Sequence, residues 1–414
     1  MVSAAGSGEL LFTPRVGAIY GYTLLWALLG AVTLKWFVNR EIGRYAVCTG
    51  ENILAGFRRL PGPANWAVWL IVIPQIGVAV ASIAGLAGSA GTALILLVPG
   101  NLTMWMIVSV VSAAALVVWG RYIGVERVAT MIGITLAVAS TAAAISVGPD
   151  AGALGAGLAP VVPANVDYAE ILPWLGFMLS GAAGMIWYSY WVVEKGYGAA
   201  HSDGTHPPVG EDDQRRLRGW LGQMTFDTTV AVVGTVIVAL AFLVLGTELL
   251  RPEGLVPDED QIAEVLGELL GGVWGRAGFW FMVLAVFVGF WDTVLSDQDG
   301  FGRMFTTGAR AVPERINPVA RIGDDERVRR LIVVVVLAVA PIILYLVVGN
   351  PVGLLKVAGA IEAAQIPVIA GLTLYLNRRR LPKSLQPSVP AMIGVGVAAT
   401  FFATFTIFYL LQVI

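Results

Sequence analysis

The sequence has little charge, a single cysteine and only two histidines. Of its 414 residues, 13% are charged and 57% are apolar, whereas soluble domains carry about 25% charged residues. Together with a mean hydropathy of +0.78, this excludes an ordinary soluble enzyme, a nucleic-acid-binding protein and a disordered chain. The lone Cys48 excludes an intrachain disulfide. His201 and His206, both in one polar stretch, are too few for a Cys/His metal cluster.

Long uncharged stretches instead predict membrane-spanning helices, each of which needs about 20 mostly apolar residues. Such runs occupy residues 16–34, 60–120, 128–149, 171–193, 228–247, 331–355 and 384–414, and the run 60–120 is long enough for two spans. Two further spans contain isolated acids, residues 277–301 with Asp292 and Asp297, and residues 352–377 with Glu362. With a short segment at the N-terminus, we predict an all-α membrane protein of about eleven transmembrane helices, forming one transporter domain over residues 1–414.

The basic residues fall on alternating connections between these spans. All but four of the 26 lysines and arginines lie around residues 35–59, 121–127, 195–218, 303–330 and 378–383. The connections in between are acidic or neutral. Because basic loops stay in the cytoplasm, we expect these loops and the N-terminus on the cytoplasmic side of the cell membrane. We expect an external loop at residues 246–272, with a short interfacial helix at 261–270.

Two glycine clusters lie in the first and the sixth predicted spans. Residues 6–9 read Gly-Ser-Gly-Glu, and residues 181–185 read Gly-Ala-Ala-Gly-Met. Small residues often serve only close helix packing, but a separation of five spans also suits an inverted repeat with two broken helices. We therefore predict side-by-side, non-helical backbone at both clusters. The repeats are expected at about 1–148 and 169–377, with an extra C-terminal span at 388–414.

Two spans carry acids that are candidates for a cation site. Glu9 lies beside the first cluster, where a carboxylate and freed carbonyls can coordinate a cation; alternatively it is a surface residue near a chain end. Glu362 lies near the middle of the tenth span, where a carboxylate is a functional candidate by default. Its alternative role is an ion pair with Lys356. Gln365 follows on nearly the same helical face.

The eighth span contains three further acids. Asp292 lies deep in the span, and Asp297 approaches its cytoplasmic end; both are candidates for a proton or ion pathway. Asp299 and Arg303 are spaced as an ordinary helical ion pair.

Several motifs resemble the Nramp family of divalent-metal transporters. The stretch GAIYGYTLLW at 17–26, followed by Thr-Gly-Glu at 49–51, is similar to that family's first spans. Counting back from its Gly-Tyr pair places the family's Asp-Pro-Gly-Asn motif on residues 6–9. Residues 181–187 correspond to the Gly-Ala-x-x-Met-Pro-His stretch of the family's sixth span, and Gln-Ile-Pro at 365–367 resembles the Gln-Leu-Pro of its tenth span.

The resemblance implies a leucine-transporter-type five-plus-five fold, alternating access, and divalent cation uptake that is often coupled to protons. By position, Glu9 replaces the motif's asparagine, whereas Ala182 and Met185 keep the family's metal-site identities. Gly6 replaces the principal aspartate ligand, and Trp187 replaces the histidine. The expected substrate site comprises Gly6, Glu9, Ala182, Met185, Glu362 and Gln365, with metal ligands Glu9, Met185 and Glu362.

These features predict a secondary transporter in the lipid bilayer, with a monomeric transport unit and a cation of the Mg²⁺ or Mn²⁺ class as its substrate. We expect weak proton coupling or none, because the family's histidine is lost and residues 60–120 contain no ionisable side chain. The alternative is an amino-acid or organic-solute transporter of the same fold. With no nucleophile–base pair in the sequence, we expect neither an enzyme nor a bound cofactor. Only five residues precede Gly6, where a half-helix needs roughly ten. Either the true start lies upstream or the chain lacks the first half-helix, and we favour a truncated or misannotated start.

Overall fold

Helices form the regular structure of the protein, analysed as a computed structural model that describes residues 6–120, 123–201, 210–312 and 322–413. Within these ranges there is no β-strand. In chain order the helices are α1 (Thr13–Tyr20, after a π-helical turn Gly8–Phe12), α2 (Leu25–Thr49), α3 (Ile53–Phe57), α4 (Trp66–Leu97), α5 (Leu102–Trp119), α6 (Ile123–Val147), α7 (Ala151–Ala156), α8 (Tyr168–Phe177), α9 (Ala182–Glu194), α10 (Glu211–Leu245), α11 (Arg251–Glu253, after a π-helical turn Gly246–Leu250), α12 (Ile262–Ala309), α13 (Asp325–Val334), α14 (Ala340–Val348, after a π-helical turn Val335–Val339), α15 (Pro351–Arg380) and α16 (Val389–Val413).

Nine helical segments of the described chain are long and apolar enough to cross a membrane. Residues 8–20 and α2 are two further helical segments, in the places of the first two predicted spans; the total of eleven spans stays a prediction. The uncharged run 16–34 is not a span, because α1 ends at Gly21, whose φ of 60° turns the chain into α2. Lys35, expected in a cytoplasmic loop, consequently lies inside α2 and is fully buried. Counting apolar residues missed this helix because α2 also contains Arg40, Glu41 and Arg44.

The predicted loop at residues 246–272 is largely helical. The π-helical turn at Gly246–Leu250 and α11 extend α10 as far as Glu253. Residues 261–270 do contain a helix, as predicted, and its apolar residues Ile262, Leu266 and Leu270 are fully buried against the protein. Its place at the membrane interface stays a prediction. This helix joins the rest of α12 through a kink at Gly275, which has non-helical backbone.

The sixth span is broken, although not across the whole predicted cluster. The α8 helix ends at Phe177 and α9 begins at Ala182, so the non-helical residues are 178–181. Residues 182–185 form the first turn of α9, which corrects the prediction of non-helical backbone there. The break contains Leu179 with a φ of 64°, a left-handed conformation that is uncommon outside glycine.

The first glycine cluster is helical from Ser7 onward, contrary to the prediction for residues 6–9. Gly8 of this cluster serves close packing instead. A Cβ atom on Gly8 would lie 2.7 Å from the carbonyl carbon of Phe177, at the end of α8. The absent side chain therefore allows the first span to contact residues 177–179, at the start of the break in the sixth span. The first glycine cluster thus lies beside the break, and its contact there is with the end of α8 rather than with the second cluster.

The core of the bundle is built around α4, which packs against α5, α12 and α15. The outward faces carry large apolar side chains, such as Ile145, Val347 and Leu411, each about three-quarters exposed. Water disfavours such surface, and a lipid-facing surface requires it.

Ion-pair networks lie at the two ends of the sixth span. At its start, Glu170 binds Arg15 of α1 through two hydrogen bonds of 2.8 and 2.9 Å, and it also pairs with Lys356 of α15. At its end, Glu194 pairs with Arg303 of α12. Arg303 also binds Asp299, as predicted, at 2.9 Å.

Candidate functional site

The break between α8 and α9 is the centre of the candidate site. A helix interruption inside a bundle frees backbone N–H and C=O groups that must find partners away from water. Here charged side chains from three other spans supply those partners. The carboxylates of Glu9 and Glu362 accept hydrogen bonds from freed N–H groups, and the Lys35 ammonium donates to freed carbonyls.

Glu9 approaches the break from the first span. It lies in the π-helical turn Gly8–Phe12 and is 4% exposed. Its Oε1 atom accepts a hydrogen bond of 2.8 Å from the backbone N–H of Leu179. Thr13, one turn later, contacts the same region through a 3.3 Å hydrogen bond to the sulfur of Met178. Glu9 is therefore an interior residue, and the alternative of a surface glutamate is wrong.

Lys35 approaches the break from α2. Its Nζ atom donates to the carbonyl oxygens of Gly176, Met178 and Ser180 at 2.7, 2.7 and 2.8 Å. An ammonium group has three N–H donors, so the three carbonyls account for all of them. The ring of Phe402 lies 5.3 Å from the ammonium and adds a cation–π contact.

Glu362 approaches from α15. Its Oε2 atom accepts hydrogen bonds from the backbone N–H of Ala183 at 3.0 Å and from the side chain of Gln75 at 3.2 Å. Ala183 lies in the first turn of α9, where a negative charge is favoured by the helix dipole. Close packing makes the contact possible, because a Cβ atom on Gly181 would lie 2.6 Å from the Glu362 carboxylate. Lys356 pairs with Glu170 rather than with Glu362.

Gln365 belongs to the same network. Gln75 of α4 shares its amide nitrogen between Glu362 and the side-chain oxygen of Gln365, the latter at 2.6 Å. Gln365 in turn donates to the carbonyl of Leu70 at 3.3 Å. That carbonyl has lost its helical donor, because Pro74, four residues later, has no N–H. A proline inside α4 and two glutamines thus help to position the Glu362 carboxylate.

The eighth-span acids have different surroundings. Asp297 is 8% exposed and accepts a hydrogen bond of 2.9 Å from the Ser82 hydroxyl of α4. Asp292, five residues earlier on α12, is half-buried. Asp299 pairs with Arg303 and with Arg329 of α13. Of the two predicted pathway residues, Asp297 is the one that lies inside the bundle.

The remaining predicted residues lie at or near the break. Gly6 has no regular structure and precedes the first helical turn. Ala182 and Met185 are fully buried in the first turn of α9. Trp187 packs edge-on against Phe301, with ring centroids 4.7 Å apart. An aromatic contact therefore stands where the resemblance implies a titratable histidine.

The described residues hold no preformed cluster of three or more His, Cys, Asp or Glu side chains suited to a metal ion. Sequence reasoning also missed two members of the network, Lys35 and Gln75. Gln75 is a lone amide in a long apolar run beside Pro74, a pattern that could have drawn attention to it. Lys35 precedes further charged residues, a pattern that predicts a cytoplasmic loop.

Comparisons with known proteins agree with this architecture. The sequence model described as "Natural resistance-associated macrophage protein-like" (Nramp) matches residues 1–412. The chain belongs to the Nramp family. A divalent metal cation transporter of Pectobacterium carotovorum is 34% identical over 64 residues, which are 15% of this chain and 16% of that protein. An uncharacterized protein of Pasteurella multocida is 25% identical over 400 residues, covering 91% of this chain and 83% of its own.

Solved structures confirm the fold predicted for this Nramp-family chain. A manganese transporter of Eremococcus coleocola aligns with a TM-score of 0.71 at 12% identity, covering 98% of this chain and 83% of the transporter. The nucleobase-cation-symport-1 family transporter Mhp1, in a closed conformation, aligns with a TM-score of 0.58 at 15% identity, covering 99% of this chain and 88% of Mhp1. The protein is thus a multi-pass membrane protein with the leucine-transporter-type fold. The boundaries of its two repeats stay a prediction.

Proposed function

We propose that this Nramp-family protein carries divalent metal cations of the Mg²⁺ or Mn²⁺ class across the cell membrane. The observation that carries the proposal is the meeting of two buried carboxylates, from Glu9 and Glu362, at one break in a membrane helix. Carboxylates inside a membrane domain are costly and are usually kept for a transported ion or proton.

The charge balance at the break favours a cation as the substrate. Glu9 and Glu362 both lie close enough to the Lys35 ammonium to attract it. Two carboxylates against one ammonium leave one formal negative charge in a buried place, which is unfavourable unless a proton or another cation neutralises it. A divalent ion bound between the carboxylates would neutralise both of them and leave the Lys35 ammonium as the one formal charge.

The donor atoms near the break favour a hard cation. Besides the two carboxylates, the buried oxygens Ser180 Oγ and Gln75 Oε1 have no hydrogen-bond partner among the described residues. Carboxylate, amide and hydroxyl oxygens suit Mg²⁺ and Mn²⁺. Met185 offers a softer sulfur ligand, which favours Mn²⁺ over Mg²⁺ if its side chain turns toward the ion.

Alternating access would require the ion-pair networks at the two ends of the sixth span to open in turn. Arg15 and Glu170 are both buried at one end, and at the other Asp299 is buried beside its partly exposed partners Arg303 and Arg329. We propose that the basic loops and the N-terminus face the cytoplasm, that one chain is the transport unit, and that the repeats 1–148 and 169–377 move against each other.

Proton coupling is proposed to be weak or absent. Trp187 takes the place of the histidine that the family resemblance implies, and α4 and α5 contain no ionisable side chain. In the eighth span, Asp292 and Asp297, the latter hydrogen-bonded to Ser82, are the acids proposed for a proton route.

Uptake into proteoliposomes tests the function. Vesicles with the purified protein and an entrapped metal-sensitive dye should take up Mn²⁺, with Mg²⁺ or Ca²⁺ tested as competitors. Glu9→Gln and Glu362→Gln should each reduce uptake by about tenfold or more, the loss expected when a charged ligand is removed from a metal site. Equal uptake by protein-free vesicles would contradict the proposal. Transport of a labelled amino acid without metal uptake would favour the organic-solute alternative.

A further inference from the structure

Lys35 occupies a ring of backbone oxygens that has the chemistry of a cation site. Its Nζ atom lies 2.7, 2.7 and 2.8 Å from the carbonyl oxygens of Gly176, Met178 and Ser180, and its side chain is fully buried. Carbonyls freed at a broken helix coordinate cations in transporters of this architecture. Here the cation at these oxygens is the ammonium group of Lys35, a part of the protein itself.

The positive charge of Lys35 limits which other ions the three carbonyl oxygens can bind at the same time. An ammonium and a divalent cation at the same three oxygens would repel each other strongly at low dielectric. The attraction of Glu9 and Glu362, in contrast, acts on either of them. The two cations therefore share the same stabilising groups and exclude each other from the same oxygens.

We propose that Lys35 is a tethered competitor of the transported ion. The ammonium holds the carbonyls of Gly176, Met178 and Ser180 when no substrate is bound, and an entering divalent cation displaces it. The inference rests on the proposed function and adds a residue that sets substrate affinity. In this arrangement the apparent affinity for metal is lower than that of the ring alone, because the ring is available only for the fraction of time that Lys35 is away.

A purely structural role for Lys35 predicts a different outcome. If the ammonium only satisfies the three carbonyls, removing it weakens the fold and leaves metal affinity unchanged or lower. Competition instead predicts that removing the ammonium charge raises metal affinity, even where stability falls.

Calorimetric titration of the purified protein with MnCl₂ and MgCl₂ separates these roles. The variants are Lys35→Met, which removes all donors, and Lys35→Gln, which keeps amide donors without charge. We expect both variants to bind metal more tightly than the unmodified chain, by roughly 5- to 150-fold, the usual range for coupled sites. Lys195→Met is the control, because it removes a lysine charge from an exposed position at the end of α9, outside the ring and the ion-pair networks; its metal affinity should stay within about twofold.

The titrations distinguish a failure of the proposed competition from a failure of the proposed function. Metal binding by the unmodified chain, with equal or weaker binding by both variants, overturns the competition and leaves the proposed function intact. No metal binding by any of the chains overturns the proposed function, and the competition with it. A separate measurement tests whether the carbonyl ring is a cation site. n-Propylammonium, which carries an ammonium group like that of lysine, should raise the melting temperature of Lys35→Ala and not that of the unmodified chain. No such rise would overturn the ring as a cation site.

Discussion

The Glu9 carboxylate accepts a 2.8 Å hydrogen bond from the backbone N–H of Leu179. Leu179 has a φ of 64°, a conformation that costs a non-glycine residue about 1–2 kcal/mol. The Glu9 hydrogen bond and the Lys35 contacts to Met178 and Ser180 on either side of it offset this cost. The break in the sixth span is thus maintained by charged side chains of the first two spans.

Glu9→Gln should weaken divalent cation binding without unfolding the protein. The glutamine oxygen can still accept the hydrogen bond from Leu179, while the negative charge is lost. We expect a loss of Mn²⁺ affinity of about 10- to 100-fold, typical of a changed metal-site ligand shell. Calorimetry measures the affinity, and a melting curve measures the fold. Unchanged affinity for every divalent ion tested would contradict the role of Glu9.

Gly181→Ala should impair cation binding by moving a neighbouring side chain. The added methyl group would lie 2.6–2.9 Å from the carboxylate atoms of Glu362, which must then leave its contact with Ala183. We expect reduced metal uptake with only a small loss of stability, because the displaced group is the end of a side chain. Gly234→Ala is the control, since nothing lies within 4 Å of its added methyl group. Normal uptake by Gly181→Ala would show that the position of Glu362 is unimportant.

Gly8→Ala should destabilise the fold itself. Its methyl group would meet the backbone of Phe177 and Met178 at 2.7–2.9 Å, and backbone atoms cannot move aside as a side chain can. Overpacking of this kind costs about 1–3 kcal/mol, which should lower the melting temperature by several degrees. Gly77→Ala, on α4 with nothing within 4 Å, should be neutral or slightly stabilising because alanine favours helix. Equal melting temperatures for the two variants would refute the close contact.

The sequence predicted the helical class and the break in the sixth span, because these depend on apolar runs, charge and the family motifs. It placed the break too late, at residues 181–185 instead of 178–181. Glycine marks permissive backbone, but here the strained residue is Leu179, which is held by contacts distant in the sequence. The glycines at 8 and 181 serve close approach, which no local pattern distinguishes from a helix break.

The sequence indicates the two acids of the candidate site, Glu9 and Glu362. It does not indicate the lysine, Lys35. Glu9 and Glu362 were selected because a carboxylate at membrane depth is conspicuous in a sequence. Lys35 was not, because Arg40 and Arg44 follow it and the three together resemble a cytoplasmic loop. Only the position of α2 against the sixth span shows that Lys35 is buried and paired with backbone carbonyls.

Cysteine labelling can test the proposed orientation. The lone Cys48 is 1% exposed in α2 and should react slowly, so single added cysteines can be compared in a Cys48→Ser background. Asp260→Cys should react with a membrane-impermeant maleimide applied to intact cells, because Asp260 is exposed and lies on the proposed external side. Lys383→Cys, exposed after α15, should react only after the cells are permeabilised. The reverse pattern would invert the topology.

The last prediction concerns proton coupling along α12. Asp297 is buried beside Ser82. In the sixth span, Trp187, which packs against Phe301 of α12, takes the place of the histidine that the family resemblance implies. We expect Mn²⁺ uptake into liposomes to leave the internal pH, read with an entrapped dye, nearly unchanged. Asp297→Asn, whose amide oxygen can still accept the Ser82 hydrogen bond, should keep most of the metal uptake; Asp292→Asn provides the comparison on the same helix. Acidification that follows metal entry and disappears in Asp297→Asn would instead assign a proton route to the eighth span and show that transport is coupled.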